Sequence, residues 1–252
     1  MRKIWILVSF ILMFFLVSCQ SFKEDLNSLR PTAVAPAITE NEKSLMEFID
    51  LRKQSVVAIV NNYAADDVSI MSMRRGSGTV IKKVSGLLTH TYTILTTEWV
   101  VENAPSVLVY ISQSRYVTGT VNHLFTDDLE ESNNMALITI QTDQNLLPVE
   151  LELVDEKSIE FDEVFSIGTP ISTAYFNYPT RPAIVSGVIY PLFVHASPLS
   201  YGQLGSPVFL KSNGQFVGMN IEILTNTSND RPINSMTIAL HVNRIIELLE
   251  EK

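Results

Sequence analysis

Only one of the 252 residues is a cysteine, Cys19, so no disulfide can close within the chain, and beyond that position there is no thiol nucleophile or cysteine-based metal site. Cations are also scarce. Lys and Arg number 18 against 27 Asp and Glu, a net charge of −9. A leader cleaved with Arg2 and Lys3 leaves 16 against 27. That balance argues against nucleic acid as a partner, since nucleic acid rewards clustered Lys and Arg. The four histidines, His90, His123, His195 and His241, stand scattered with no i,i+4 pair, so neither zinc nor any other metal or cofactor is expected. The acidic run Asp127-Asp128-x-Glu130-Glu131 lacks the glycine and spacing of a calcium loop and reads as a solvated turn. The long apolar run, Ile4 to Val17, interrupted only by Ser9, falls short of the ~20 residues that a membrane-spanning helix needs.

That run has a charged start, Arg2-Lys3, and ends in Leu16-Val17-Ser18-Cys19. This is the layout of a cleaved export signal, and Leu-Val-Ser-Cys resembles the bacterial lipobox. The resemblance implies cleavage before Cys19 and a diacylglyceryl thioether on it. The expectation is a signal peptide over 1–18 and a membrane anchor through the lipid on Cys19, with the globular part outside the cytoplasmic membrane. Residues 19–38 are polar and carry Pro31 and Pro36 among small residues, which suits a flexible tether. A folded domain is expected over 39–252.

Thr39-x-x-Glu42 has the spacing of a capping box, and Leu45, Phe48 and Ile49 recur at helical intervals, predicting a short amphipathic helix that caps the domain. Short β-rich runs follow: 55–60, 78–81, 92–96, 106–111, 116–121, 135–140, 163–167, 183–190, 207–210 and 216–221. Strands at this density, split by Gly, Asn, Asp and Ser, read as an all-β sandwich or barrel. Lys211-Ser212-Asn213-Gly214-Gln215 is the clearest hairpin turn, because Asn-Gly accepts positive φ. Val242-x-x-Ile245-Ile246-x-x-Leu249 marks the apolar stripe of a C-terminal helix.

Several of these runs, in order, resemble segments of the trypsin-like serine peptidases, especially the HtrA/Deg-like branch. They are Gly76-Ser77-Gly78-Thr79-Val80-Ile81, Ile94-Leu95-Thr96-Thr97-Glu98-Trp99-Val100-Val101, Asn133-Asn134-Met135-Ala136-Leu137-Ile138, Ser166-Ile167-Gly168-Thr169-Pro170 and Val185-Ser186-Gly187-Val188. Gly202-Gln203-Leu204-Gly205-Ser206-Pro207, then Gly214-Gln215-Phe216-Val217-Gly218-Met219-Asn220, and Ile238-Ala239-Leu240 before a helix complete the series. Any one is a weak signal; their order and spacing together are specific. The resemblance implies two packed six-stranded β-barrels with the former active site in the cleft between them, to which the predicted short N- and C-terminal helices are added; no sequence remains after Lys252 for a PDZ domain, so none is expected.

It also implies a histidine, an aspartate and a serine at three positions that here hold Trp99, Asn134 and Leu204. The reaction requires a hydroxyl nucleophile, a base that takes its proton, and a carboxylate that orients the base. Leucine supplies no nucleophile, indole has no basic lone pair, and an amide cannot balance an imidazolium. No catalytic residue is therefore assigned. Gly202 and Gly205 flank Leu204 as a remnant of the oxyanion loop, or serve as a tight turn. Ser206 reads as a turn serine and His195 as a polar surface residue or a lining of the cleft. Trp99 and Leu204 are expected to pack together and plug the cleft. The resulting expectation is a lipid-anchored pseudo-peptidase that binds a protein or peptide partner. Two rivals stand beside it: a peptidase using Ser206 or Ser186 with a histidine, and an architectural subunit of a surface assembly, which predicts an exposed apolar patch away from the cleft.

Overall fold

The structure, a computed structural model, describes residues 40–64, 71–125, 134–170, 172, 176–226 and 231–251. The lipobox and Cys19, the tether, Thr39 of the capping box and the 127–131 acidic run lie outside the described residues. Residues 40–252 form one compact unit.

Six antiparallel strands close the first barrel: β1 (Val56–Ala64), β2 (Met71–Ser85), β3 (His90–Thr97), β4 (Ser106–Tyr110), β5 (Tyr116–Phe125) and β6 (Met135–Thr142), in the order β1-β2-β3-β6-β5-β4. The second holds β7 (Glu163–Gly168), β9 (Ala183–Ile189), β10 (Leu192–His195), β11 (Pro207–Leu210), β12 (Phe216–Asn226) and β13 (Arg231–His241). Their order β11-β12-β13-β10-β9-β7 is closed by the pairing of β7 with β11, and β8 (Tyr178–Pro179) is appended to β7. Closure leaves no long sheet edge except where a strand outruns its partner.

Each barrel has its own apolar filling. Val57, Ile59, Val80, Ile94, Val109 and Ile138 fill the first, and Val185, Phe193, Val208 and Val217 the second. A third cluster joins them, with Val56, Leu95, Met135 and Leu137 from one barrel against Phe165, Phe209, Phe216 and Met219 from the other. The glycines at 76, 78 and 119 leave room for neighbouring side chains to pack directly on the strand backbone. A Cβ on Gly78 would meet Ile94 at 2.6 Å and Ile59 at 2.8 Å.

The flanking helices sit where the apolar stripes direct them. On α1 (Glu40–Arg52), Leu45, Phe48 and Ile49 pack on the shared cluster, and Arg52 Nε donates to the Gly214 carbonyl at 2.8 Å. That carbonyl belongs to the predicted hairpin turn, where Gly214 has φ of +69°. A short α2 (Glu98–Val101) follows β3. The C-terminal α3 (Val242–Glu250) buries Val242, Ile245 and Leu248, with Ile246 and Leu249 packed at the margin.

Candidate functional site

The loop before β11 is pinned to the first barrel by a serine of the Gly-Ser-Gly strand. Ser77 N donates to the Leu204 carbonyl at 2.8 Å, and Ser77 Oγ donates to the Gly202 carbonyl at 2.9 Å while accepting from Thr169 N at 3.0 Å. Thr96 Oγ1 donates to the Ser77 carbonyl at 2.8 Å, and Gly205 N to the Asn220 carbonyl at 2.8 Å. Gly202 and Gly205 have φ of +94° and +81°, and a Cβ on Gly205 would lie 2.2 Å from the Ser77 carbonyl oxygen. Glycine is therefore required here by the left-handed backbone and by close approach alike. The N–H groups of Gly202 and Leu204 donate to no other described residue.

Trp99, Asn134 and Leu204, far apart in sequence, line one cleft of about 400 Å³ with Thr97, Ile221, Glu222 and Ile223. Trp99 reaches it from α2, whose single turn buries Val100 and Val101 in the first barrel and turns the indole outward. Asn134 stands just before β6, and its carbonyl accepts from Glu98 N at 3.3 Å. Leu204 leans into the first barrel's core. The Glu98 carboxyl beside Trp99 is pushed above its ordinary value, first by burial and then by Glu102.

The expected plug of Trp99 on Leu204 is not what forms. Trp99 keeps 37% of its surface exposed and the cleft stays open. The indole instead lies under the Arg74 guanidinium, 5.1 Å from its centroid, and edge-on to Tyr201 at 6.3 Å. Arg74 also donates to the Trp99 carbonyl at 2.9 Å and pairs with Glu102, while Tyr201 Oη donates to the Met73 carbonyl at 3.3 Å. A cation over an indole face gains where a leucine offers only area, so the ring is held on the rim of the cleft rather than inside it. Arg74 and Tyr201 carried no signal in the sequence, because neither lies in a family-like segment.

His195 is wholly buried, neither at the surface nor in the cleft. Its Nδ1 accepts from Ser197 N at 3.2 Å, so Nε2 carries the proton and donates to Asn220 Oδ1 at 2.7 Å. The Asn220 amide donates in turn to Ser206 Oγ at 2.9 Å and Ser166 Oγ at 2.8 Å. Ser206 is thus a buried network member, not a plain turn serine. Burial pushes the imidazole down to about 4, against which the Asn220 contact works only weakly. A neutral histidine separated from Ser206 by an amide, with both side chains out of reach of solvent, cannot serve as its base. Ser186 is exposed on β9. Among the described residues no cluster of His, Cys, Asp and Glu has the makings of a metal site.

One edge of the cleft is a strand. β12 pairs with β11 only as far as Pro207 against Met219, and beyond Asn220 it pairs with β13 alone. The opposite edge of 221–223 therefore faces the cleft without a strand partner among the described residues.

The trypsin-like peptidase domain family matches residues 76–219, the span that contains all three cleft positions. The chain belongs to that family. In three dimensions it is similar to the serine endoprotease from Yersinia pestis, with a TM-score of 0.59 and 17% sequence identity, over 82% of this chain. The chain spans 65% of that protein's length. At that identity the likeness concerns the fold, two β-barrels with a cleft between them. No curated protein is significantly similar in sequence.

Proposed function

We propose that this trypsin-like domain is a pseudo-peptidase of the HtrA/Deg-like branch that captures extended polypeptide segments in the cleft between its barrels and does not cleave them. The observation that carries this reading is that Trp99, Asn134 and Leu204, the residues that the sequence resemblance matches to the family's three catalytic positions, line one cleft. At those three positions no hydroxyl nucleophile and no imidazole is seated, while elements of a peptide site remain: an edge at 221–223 without a strand partner among the described residues, and apolar walls of Leu204, Ile221 and Ile223. An extended segment that adds to a sheet edge gains main-chain hydrogen bonds without depending on its sequence, and the side-chain pockets then set preference. Glu222 and the neighbouring Glu98 favour a segment with basic residues beside an apolar one.

Trp5 and Trp99 are the only tryptophans, so in a Trp5→Phe variant the indole fluorescence reports on the cleft rim alone. Adding unfolded, basic-apolar peptides is expected to shift and saturate this emission while the peptides remain intact by mass spectrometry. Emission that no peptide perturbs, or peptides that are cut, would overturn the proposal.

The reading includes a place of action. The domain is held at the outer side of a membrane by lipid on Cys19, which the export-type leader and the Leu-Val-Ser-Cys sequence support. Cys19→Ala is expected to abolish incorporation of a palmitate analogue and to block normal processing. Unchanged labelling and unchanged processing would contradict the anchor.

A further inference from the structure

β2 and β3 are joined at Gly86-Leu87-Leu88-Thr89, closed by Gly86 N donating to the Thr89 carbonyl at 3.0 Å. Short hairpin connections favour Gly, Asn and Asp, whose backbones accept the turn and whose side chains suit water. Here the two outermost residues are leucines, 99% and 85% exposed, with Val84 55% exposed just behind them on β2. Nothing in the turn needs leucine, and each side chain forgoes burial completely.

The surroundings are not neutral. Lys82 and Lys83 precede the turn, and Lys83 Nζ is held by Asn145 above the Tyr92 ring. The register places the β4–β5 turn at the same end of the barrel: Ser85 pairs with His90, His90 with Thr142, and Arg115 forms an ion pair with Asp143. Tyr116, 54% exposed, stands beside Arg115. One barrel end thus shows an apolar tip, a tyrosine and a cationic excess of Lys82 and Lys83, on a chain with a net charge of −9.

We propose that the Leu87-Leu88 hairpin tip, with Lys82, Lys83 and Tyr116 behind it, inserts into the interface of an anionic lipid bilayer. The leucines enter the acyl boundary, tyrosine sits at headgroup depth with its hydroxyl wet, and the lysine stems lie along the boundary with their ammonium groups on lipid phosphates. Charge complementarity selects a lipid surface. A protein groove for two leucines would not require the cations around them, whereas anionic headgroups attract each one near the surface. The inference is independent of the cleft and of acylation at Cys19.

The test uses residues 20–252, which lack the apolar leader and Cys19 and keep the compact unit that begins at Glu40, so that a cysteine introduced as Leu88→Cys is the only thiol and accepts an environment-sensitive nitrobenzoxadiazole label. Vesicles of phosphatidylcholine containing about one third phosphatidylglycerol are expected to raise the label's emission about threefold, with quenching by nitroxides placed on the acyl chains. Pure phosphatidylcholine is expected to raise it less. Leu87→Ser in the same background should weaken vesicle affinity about tenfold, the scale of one lost leucine insertion. Emission that vesicles leave unchanged, or a rise of equal size on neutral vesicles, would overturn the proposal. So would a rise that grows with protein concentration in the absence of lipid, which would mean the tip docks on a second copy of the chain.

Discussion

At the residue scale, backbone contacts fix two of the three cleft residues. Leu204 and Asn134 occupy their places by backbone contacts, through the Leu204 carbonyl to Ser77 N and the Asn134 carbonyl to Glu98 N, which are indifferent to the side chain. That is why their location was legible from short motifs alone. Their packing was not. A pairing of Trp99 with Leu204 follows from apolarity, but Arg74 and Tyr201 compete for the indole and win it. His195 was misplaced for a similar reason, since its burial depends on Asn220, which lies 25 residues away in sequence. The buried imidazole gives the fold a pH dependence. With its folded value lowered from 6.5 to about 4, protons bind the unfolded chain preferentially between those limits. This contribution to stability is complete above pH 6.5 and is lost as pH falls toward 4, by about 3 kcal/mol. His241, also lowered by burial, acts in the same direction. Urea unfolding from pH 7 to 4.5 is therefore expected to show falling stability, with a shallower slope in His195→Gln. An equal slope in that variant would remove His195 from the account.

At the element scale, most strands announce themselves, and the exceptions have causes. β11 was legible to the residue as 207–210, and the β7 and β9 runs to within one residue. β2 runs over Met71–Ser85 although only 78–81 looks like a strand. Arg74, Arg75, Lys82 and Lys83 break the apolar pattern, yet pairing with β1 from Met71 and with β3 to Ser85 carries the strand on. β10 was hidden because it begins after the Tyr190-Pro191 turn with only four residues, and β13 because Pro232, Asn234 and Ser235 look like loop. The stripe of α3 was legible, but its most consequential polar residue was not. Asn243 accepts from Val154 N at 2.9 Å and donates to the Val154 carbonyl at 2.8 Å, pairing like a strand with the connection between the barrels. Asn243→Ala strands both backbone groups and should cost about 1–3 kcal/mol in denaturant unfolding. Asn243→Asp, which keeps the acceptor alone, should fall between the two. A cost near zero for Asn243→Ala would mean the connection is held by its apolar contacts at Leu151 and Val154 instead.

At the scale of the whole molecule, the two barrels are joined by a shared apolar cluster and by the Ser77 clamp, and residues of both line the cleft. This architecture was readable from the order of family-like segments, because each marks a place where the fold needs glycine, a turn or a short strand. What occupies the cleft was not readable, since the sequence shows only which groups are missing. The central claim is that the frame of a serine peptidase is kept here without an activated serine. Treating the purified protein with a fluorophosphonate, beside an intact trypsin-like peptidase as control, tests that claim most directly, because such reagents phosphonylate only a serine with a working base, whose oxygen displaces fluoride from phosphorus. The account predicts no adduct by intact mass while the control is fully modified. One adduct per chain, mapped to any serine and lost on mutation of that residue, would contradict it.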